Sequence, residues 1–166
     1  MTQEQLSNDV TAYSRIVYRL AFGCTGNRLD AEDVVQDTFL RLFHYKKPFV
    51  DEEHKKAFLL RVASNLCKDM FKSAWFRKRI DLDETIPAGD CFTNNEDVLR
   101  DYVLRLKPAY RAVVFLFYYE EYSTREIADI LKMSETAVTT RLNRARNQLR
   151  TELTNNKEDL IHEYIC

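Results

Sequence analysis

The chain has 166 residues, 45% of them hydrophobic, with three Gly, three Pro and a net charge of −1. This length suits one compact domain or two small ones, and so few breakers leave little room for anything but helices with short connections. Cys24, Cys67, Cys91 and Cys166 form no CxxC pair, and neither a signal peptide nor a long apolar run argues for export or membrane insertion, which fits a reduced cytoplasmic protein.

Hydrophobic periodicity predicts helices near residues 8–25, 31–44, 55–78, 95–106, 109–121, 124–131 and 135–153, with no competing strand pattern. On the second helix Val35, Phe39 and Leu42 make a buried side. Asp33, Gln36, Asp37 and Leu40, at spacings of three and four, make an acidic stripe with an apolar centre that suits a basic protein surface, or else a plain solvated face. On the third helix Leu59, Val62, Ala63, Leu66 and Met70 share one face, and Arg61, Asn65, Lys68 and Lys72 share the opposite one. A straight stripe of cations fits phosphate tracking, and the run Trp75 to Arg79 that follows interleaves aromatics with cations as unpaired bases require; core aromatics beside solvated lysines are the competing reading.

The near-neutral net charge hides a sharp segregation. From Lys55 to Arg79 there are eight basic residues and one acidic; from Ile80 to Asp101 seven acidic and one basic; from Tyr102 to Arg150 nine basic and five acidic. Two basic blocks around an acidic segment suggest two polyanion-binding surfaces. Residues 81–95 carry Pro87, Gly89, Asn94 and Asn95 without helical periodicity and read as a linker. The fold class expected is therefore all-α: an N-terminal helical bundle over residues 1–80, a flexible acidic linker over 81–95 and a C-terminal helix-turn-helix domain over 96–166.

In the C-terminal part, Ser123-Thr124-Arg125-Glu126 is a capping box that starts a short helix, and Ser134 can cap the next. Two short helices about a tight turn make a helix-turn-helix. The aromatics between Val113 and Tyr119 read as core. On the last helix Val138, Leu142, Ala145, Leu149 and Leu153 take one side; Thr136, Thr139, Thr140, Asn143, Arg144 and Asn147 take the other, flanked by Arg141, Arg146 and Arg150. Arg bonds guanine bidentately, Asn bonds adenine, the Thr methyl touches thymine and flanking Arg takes phosphates, so this face suits a major groove; the bland alternative is an amphipathic helix with a solvated face.

Three blocks resemble the extracytoplasmic-function group of sigma-70-type sigma factors: Asp30 to Leu40, Ala57 to Asn65, and Ser123 to Ile127 continued by Val138, Arg141-Leu142 and Arg144-Ala145-Arg146. The resemblance implies an N-terminal promoter-melting bundle and a minus-35 helix-turn-helix. It implies that Asp33, Gln36, Asp37 and Leu40 bind the largest subunit of bacterial core RNA polymerase. It further implies that Arg61, Asn65, Lys68 and Lys72, with Phe49 in the loop Tyr45 to Asp51, capture the opening minus-10 strand, and that Thr136, Thr139, Thr140, Asn143 and Arg144 read the minus-35 element while Arg141 and Arg146 hold phosphates. Promoter DNA, core polymerase and an anti-sigma factor are the partners implied, with no cofactor. Departures from the pattern are Lys132 where Gly is frequent in the turn, leaving open a positive φ or another turn geometry, Thr136-Ala137 for Gly-Thr, Phe58 for Trp, and Asp51 for a loop Gly. No Gly-rich phosphate loop, nucleophile elbow or metal motif supports an enzyme, and His162 with Cys166 makes only half a metal site. A helix-turn-helix regulator acting without polymerase leaves the acidic stripe unexplained; a protein-only helical adaptor leaves the Thr, Asn and Arg face unexplained.

Overall fold

The computed structural model describes residues 1–73 and 102–165, and no strand occurs among them. In chain order the helices are α1 (Gln3–Thr25), α2 (Arg28–His44), α3 (Glu52–Lys72), α4 (Pro108–Tyr118), α5 (Thr124–Leu131) and α6 (Glu135–Ile165), with a helical turn at 102–105 before α4. The expected linker at 81–95, the run Trp75 to Arg79 and the pair His162 and Cys166 lie outside the residues whose side chains are described.

Helix ends follow local chemistry, and several differ from the sequence expectation. α1 starts at Gln3, five residues early, because Thr2 and Gln5 close a capping box. It stops at Gly26, whose φ of 67° is left-handed and whose N–H donates to the Phe22 carbonyl at 2.8 Å. Asn27 then caps α2 by accepting from the Asp30 N–H. α3 ends at Lys72 and not at 78, since Ser73 turns extended and its N–H and Oγ both donate to the Met70 carbonyl, which competes with continuing the ladder. α4 ends at Tyr118, and Glu121 at φ 57° reverses the chain toward Ser123. α6 runs on past 153 to Ile165 through a stretch that contains neither Gly nor Pro.

α1, α2 and α3 pack as an N-terminal bundle, and α4, α5 and α6 pack around Leu116, Ile127, Val138 and Leu142. The two helical units also touch. α1 meets α4, and α3 meets both α4 and α5, so that buried residues of both units form one continuous cluster. This contact gives α3 a second buried face. At about 100° per residue, Leu60, Ser64, Cys67 and Phe71 lie beside the expected core face of Leu59, Val62, Ala63 and Leu66; Leu60, Ser64 and Cys67 are buried and Phe71 is half-buried under Arg111. On α2 the buried side is wider than expected, with Ala31, Val34 and Thr38 joining Phe39 and Leu42, and Val35 at its edge. Thr38 is satisfied there by donating its hydroxyl to the Val34 carbonyl at 2.7 Å.

Candidate nucleic-acid and polymerase interfaces

Ser134 begins α6 by accepting from the Ala137 N–H at 3.1 Å, and this start fixes which residues face outward. Val138, Leu142 and Ala145 are buried, whereas Thr136, Thr139, Thr140, Asn143, Arg144 and Asn147 are exposed. Thr139 and Thr140 donate their hydroxyl hydrogens to the carbonyls of Glu135 and Thr136, at 3.0 and 2.8 Å. Their outward chemistry is thus a methyl and an acceptor oxygen, a pair that fits a thymine methyl or an exocyclic amine in a major groove. Arg144 stands exposed in the middle of this face.

The flanking cations are held more firmly than their expected phosphate role suggests. Arg146 donates from Nε to the Tyr118 hydroxyl at 2.7 Å and from Nη1 to Asn143 Oδ1 at 3.3 Å, and its guanidinium lies over the rings of Phe117 and Tyr118. Arg141 reaches the Ala109 carbonyl at 3.4 Å and is half-buried. α4 therefore props both sides of the reading face. The turn into α6 passes through Lys132 at φ 53°, ψ 52°, so of the two geometries left open the chain adopts the left-handed one.

On α3 the cationic stripe is split by its surroundings. Asn65 and Lys72 are exposed, Arg61 is half-buried with its guanidinium 5.8 Å from the Phe58 ring centre, and Lys68 is half-buried. Lys68 shares a narrow cavity with Cys24, Ser64, Cys67, Ala109, Met133 and Arg141, which places part of the expected minus-10 face against the C-terminal unit. Cys24 and Cys67 face each other in that core. The hydrogen bond between the thiols and the burial of Cys67 push the Cys67 pKa well up, and both cysteines are free and buried.

The loop 45–51 has a stacked aromatic floor: Phe49 lies 5.0 Å from Tyr45, 5.4 Å from Phe58 and 5.5 Å from His54, ring centre to ring centre. Asp51, where the resemblance leads one to look for Gly, closes the loop by capping α3 and accepting from the His54 N–H at 2.7 Å. Between this loop and the first turns of α1 runs an open cleft lined by Gln5, Asn8, Asp9, Lys46, Lys47 and Lys55. Lys55 is anchored at 2.9 Å to Asp9 Oδ1 and 3.1 Å to Glu52 Oε1, while Tyr13 donates to Glu52. Partial burial and that carboxylate raise the Tyr13 pKa to about 12. The sequence reading missed the α1 wall of this cleft, although the Thr2-x-x-Gln5 capping signature would have extended α1 far enough to reveal it.

Asp33, Gln36, Asp37 and Leu40 are all exposed on α2, and the Leu40 side chain is 56% accessible. Leu29 and Phe43 add exposed apolar surface to the same helix. An acidic stripe with an apolar centre, backed by a rigid buried side, can dock a basic helical surface.

Comparison with known proteins shows the family to which the chain belongs. The family model for sigma-70 region 2 matches residues 10–77, and that for sigma-70 region 4 matches residues 96–149. The ECF RNA polymerase sigma factor SigW of Bacillus subtilis (strain 168) is 28% identical over 91% of this chain and 90% of its own length. SigL of Mycobacterium tuberculosis (strain ATCC 25618 / H37Rv), another ECF RNA polymerase sigma factor, is 31% identical over 85% of this chain and 84% of its own. In fold the chain is similar to Bartonella quintana RpoE in its complex with the anti-sigma factor NepR, with a TM-score of 0.68, 19% identity and coverage of 91% of this chain and 98% of that one. It is similar also to CnrH in complex with the cytosolic domain of CnrY, with a TM-score of 0.61, 24% identity and coverage of 93% and 90%. The match to SigL across most of both chains, together with both regional family models, shows that this protein belongs to the ECF group of RNA polymerase sigma factors.

Proposed function

We propose that this sigma factor divides its work between residues 1–80, which dock on core polymerase and capture the minus-10 strand, and residues 96–166, which read the minus-35 duplex, with residues 81–95 as the connection. The observation that carries this division is the exposed Thr, Asn and Arg face of α6 on a buried apolar side, paired with a cationic stripe on α3 and an acidic one on α2. In this reading α2 grips the enzyme through Asp33, Gln36, Asp37 and Leu40. Phe49 and the cleft beside it receive an unstacked base, whose extrusion costs a few kcal/mol, while Arg61, Asn65, Lys68 and Lys72 track the strand. Thr136, Thr139, Thr140, Asn143 and Arg144 read base edges, and Arg141 and Arg146 hold the phosphates beside them. The factor performs no chemistry of its own and acts where the polymerase is, in the cytoplasm. No helix among the described residues is long and apolar enough to cross a membrane. Since one solved neighbour was captured with the anti-sigma factor NepR and the other with the cytosolic domain of CnrY, we infer that an anti-sigma factor binds this chain as well.

Transcription in vitro with core polymerase and a promoter-fragment library tests the proposal. Specific starts are expected only when the factor is added, and Asp37→Arg combined with Gln36→Ala should abolish both the starts and co-purification with core while leaving the helical circular dichroism unchanged. Identical transcripts with and without the factor would refute the function; retention of the double variant on core would remove α2 from the docking surface.

A further inference from the structure

α1 and α3 bring two thiols together at the seam between the two helical units. Cys24 lies in the last turn of α1 and Cys67 near the end of α3; each is 2% accessible, both are free, and the thiols hydrogen-bond each other. They share the wall of a cavity of about 10 Å³ with Met133, in the turn between α5 and α6. Three sulfur-bearing side chains from three separate parts of the chain thus line a space about the size of one water.

The surroundings of this space are cationic. Lys68 and Arg141 line it, and among the described residues no carboxylate does. Arg111 of α4 donates from Nη1 to the Cys24 carbonyl at 2.7 Å, from Nε to the Leu106 carbonyl at 3.0 Å and from Nη2 to the Leu104 carbonyl, and its guanidinium lies 5.0 Å from the ring of Phe71, which also lines the cavity. Three carbonyl acceptors therefore fix a positive charge next to the thiol pair.

Two thiols in a cation-lined cavity suit an occupant whose complex with them is anionic. A monovalent ion meets this condition: two S–H bonds are exchanged for two S–metal bonds, two protons leave to solvent, the metal keeps its oxidation state, and the complex carries one negative charge. A divalent ion would give a neutral complex and leave the cations unanswered. Zinc moreover takes four ligands in a structural site, and among the described residues no group of three or more His, Cys, Asp and Glu is placed to hold a metal. Thiolate and thioether are soft donors, which select Cu(I). The small volume admits a bare ion and excludes a hydrated or chelated one, and exposed Asn65 on the same wall marks the side on which the cavity reaches solvent.

We propose that Cys24 and Cys67 form a buried dithiolate site for a soft monovalent metal ion, Cu(I), with Met133 as the third sulfur-bearing wall of its cavity. The ion ties the end of α1 to α3. The site needs neither promoter nor polymerase to fill, so it stands apart from the sigma-factor reading.

The full-length chain with Cys91→Ser and Cys166→Ser keeps only these two cysteines and serves as the parent for the test. Under anaerobic conditions Cu(I) is titrated into it in competition with the chelator bathocuproine disulfonate. One equivalent should bind with release of two protons, and the thermal midpoint should rise by about 5 °C at free Cu(I) a hundredfold above Kd. Cys24→Ala or Cys67→Ala in the parent should each weaken binding by at least about a hundredfold, more than loss of an outer contact costs. Zn(II) offered alone should bind the parent at least about a hundredfold more weakly than Cu(I). If either alanine variant fails to fold, as judged by circular dichroism, copper X-ray absorption of the loaded parent decides: sulfur neighbours alone support the site, and nitrogen or oxygen neighbours overturn it. A parent that takes up no Cu(I), folded alanine variants that bind it as tightly as the parent, or Zn(II) binding of equal strength would each overturn the proposal.

Discussion

At Lys132 a non-glycine residue occupies φ 53°, ψ 52°, where the Cβ of an L-residue crowds the following carbonyl at a cost of roughly 1–2 kcal/mol. The turn tolerates it because the Lys132 N–H bonds the Ala128 carbonyl and Ser134 caps α6 immediately afterwards. Lys132→Gly removes the crowding, and the greater freedom of glycine in the unfolded chain offsets part of the gain. The variant should be more stable by about 0.5–1 kcal/mol in urea unfolding, with minus-35 duplex binding unchanged; a lower midpoint would mean that the Lys132 side chain contributes contacts of its own. Gly26 is the opposite case. Its left-handed backbone and the nearness of Leu104 both demand glycine, the first for a local reason and the second for a contact made 78 residues later in the chain.

At the scale of elements, α6 owes its role to two faces that the seven-residue rhythm of its apolar positions already separates. Arg144 lies near the centre of the outer face, clear of the aromatic props that hold Arg146. If it reads a base, Arg144→Ala should weaken binding to the cognate minus-35 duplex by about 1–3 kcal/mol and relax preference at one base pair, measured by competition among single-position variants of the duplex. A uniform loss over all sequences would make it a phosphate contact. α2 was equally legible, because its exposed acids and buried apolar residues obey the same arithmetic. α3 was read only in part: the periodicity of Leu59, Val62, Ala63 and Leu66 marks one core face, but nothing local announces that Leu60, Ser64, Cys67 and Phe71 meet a second unit. The α1 start shows a signal that was present and passed over, since Thr2 and Gln5 have the capping-box spacing.

For the whole molecule, one hydrophobic cluster spans both helical units, and a shared core couples their stabilities. Calorimetric unfolding of the full chain should accordingly follow a single transition with calorimetric and van't Hoff enthalpies in a ratio of about 1. Two separated transitions would show that the seam contributes little to either unit. Each unit of this size buries a smaller fraction of its surface than a larger domain would, so mutual packing stabilises both.

The sequence by itself determined the all-helical class, the helix-turn-helix with its Thr, Asn and Arg face, the acidic stripe of α2 and the cationic stripe of α3, because caps and periodicity are properties of neighbours three or four residues apart. Only the tertiary structure decided that Arg111 is a lock and not a surface cation, that Lys68 and Arg141 share a cavity, and that α1 walls the cleft beside Phe49. Those facts depend on contacts between residues as far apart as Cys24 and Arg111, and no local pattern encodes which buried face meets which.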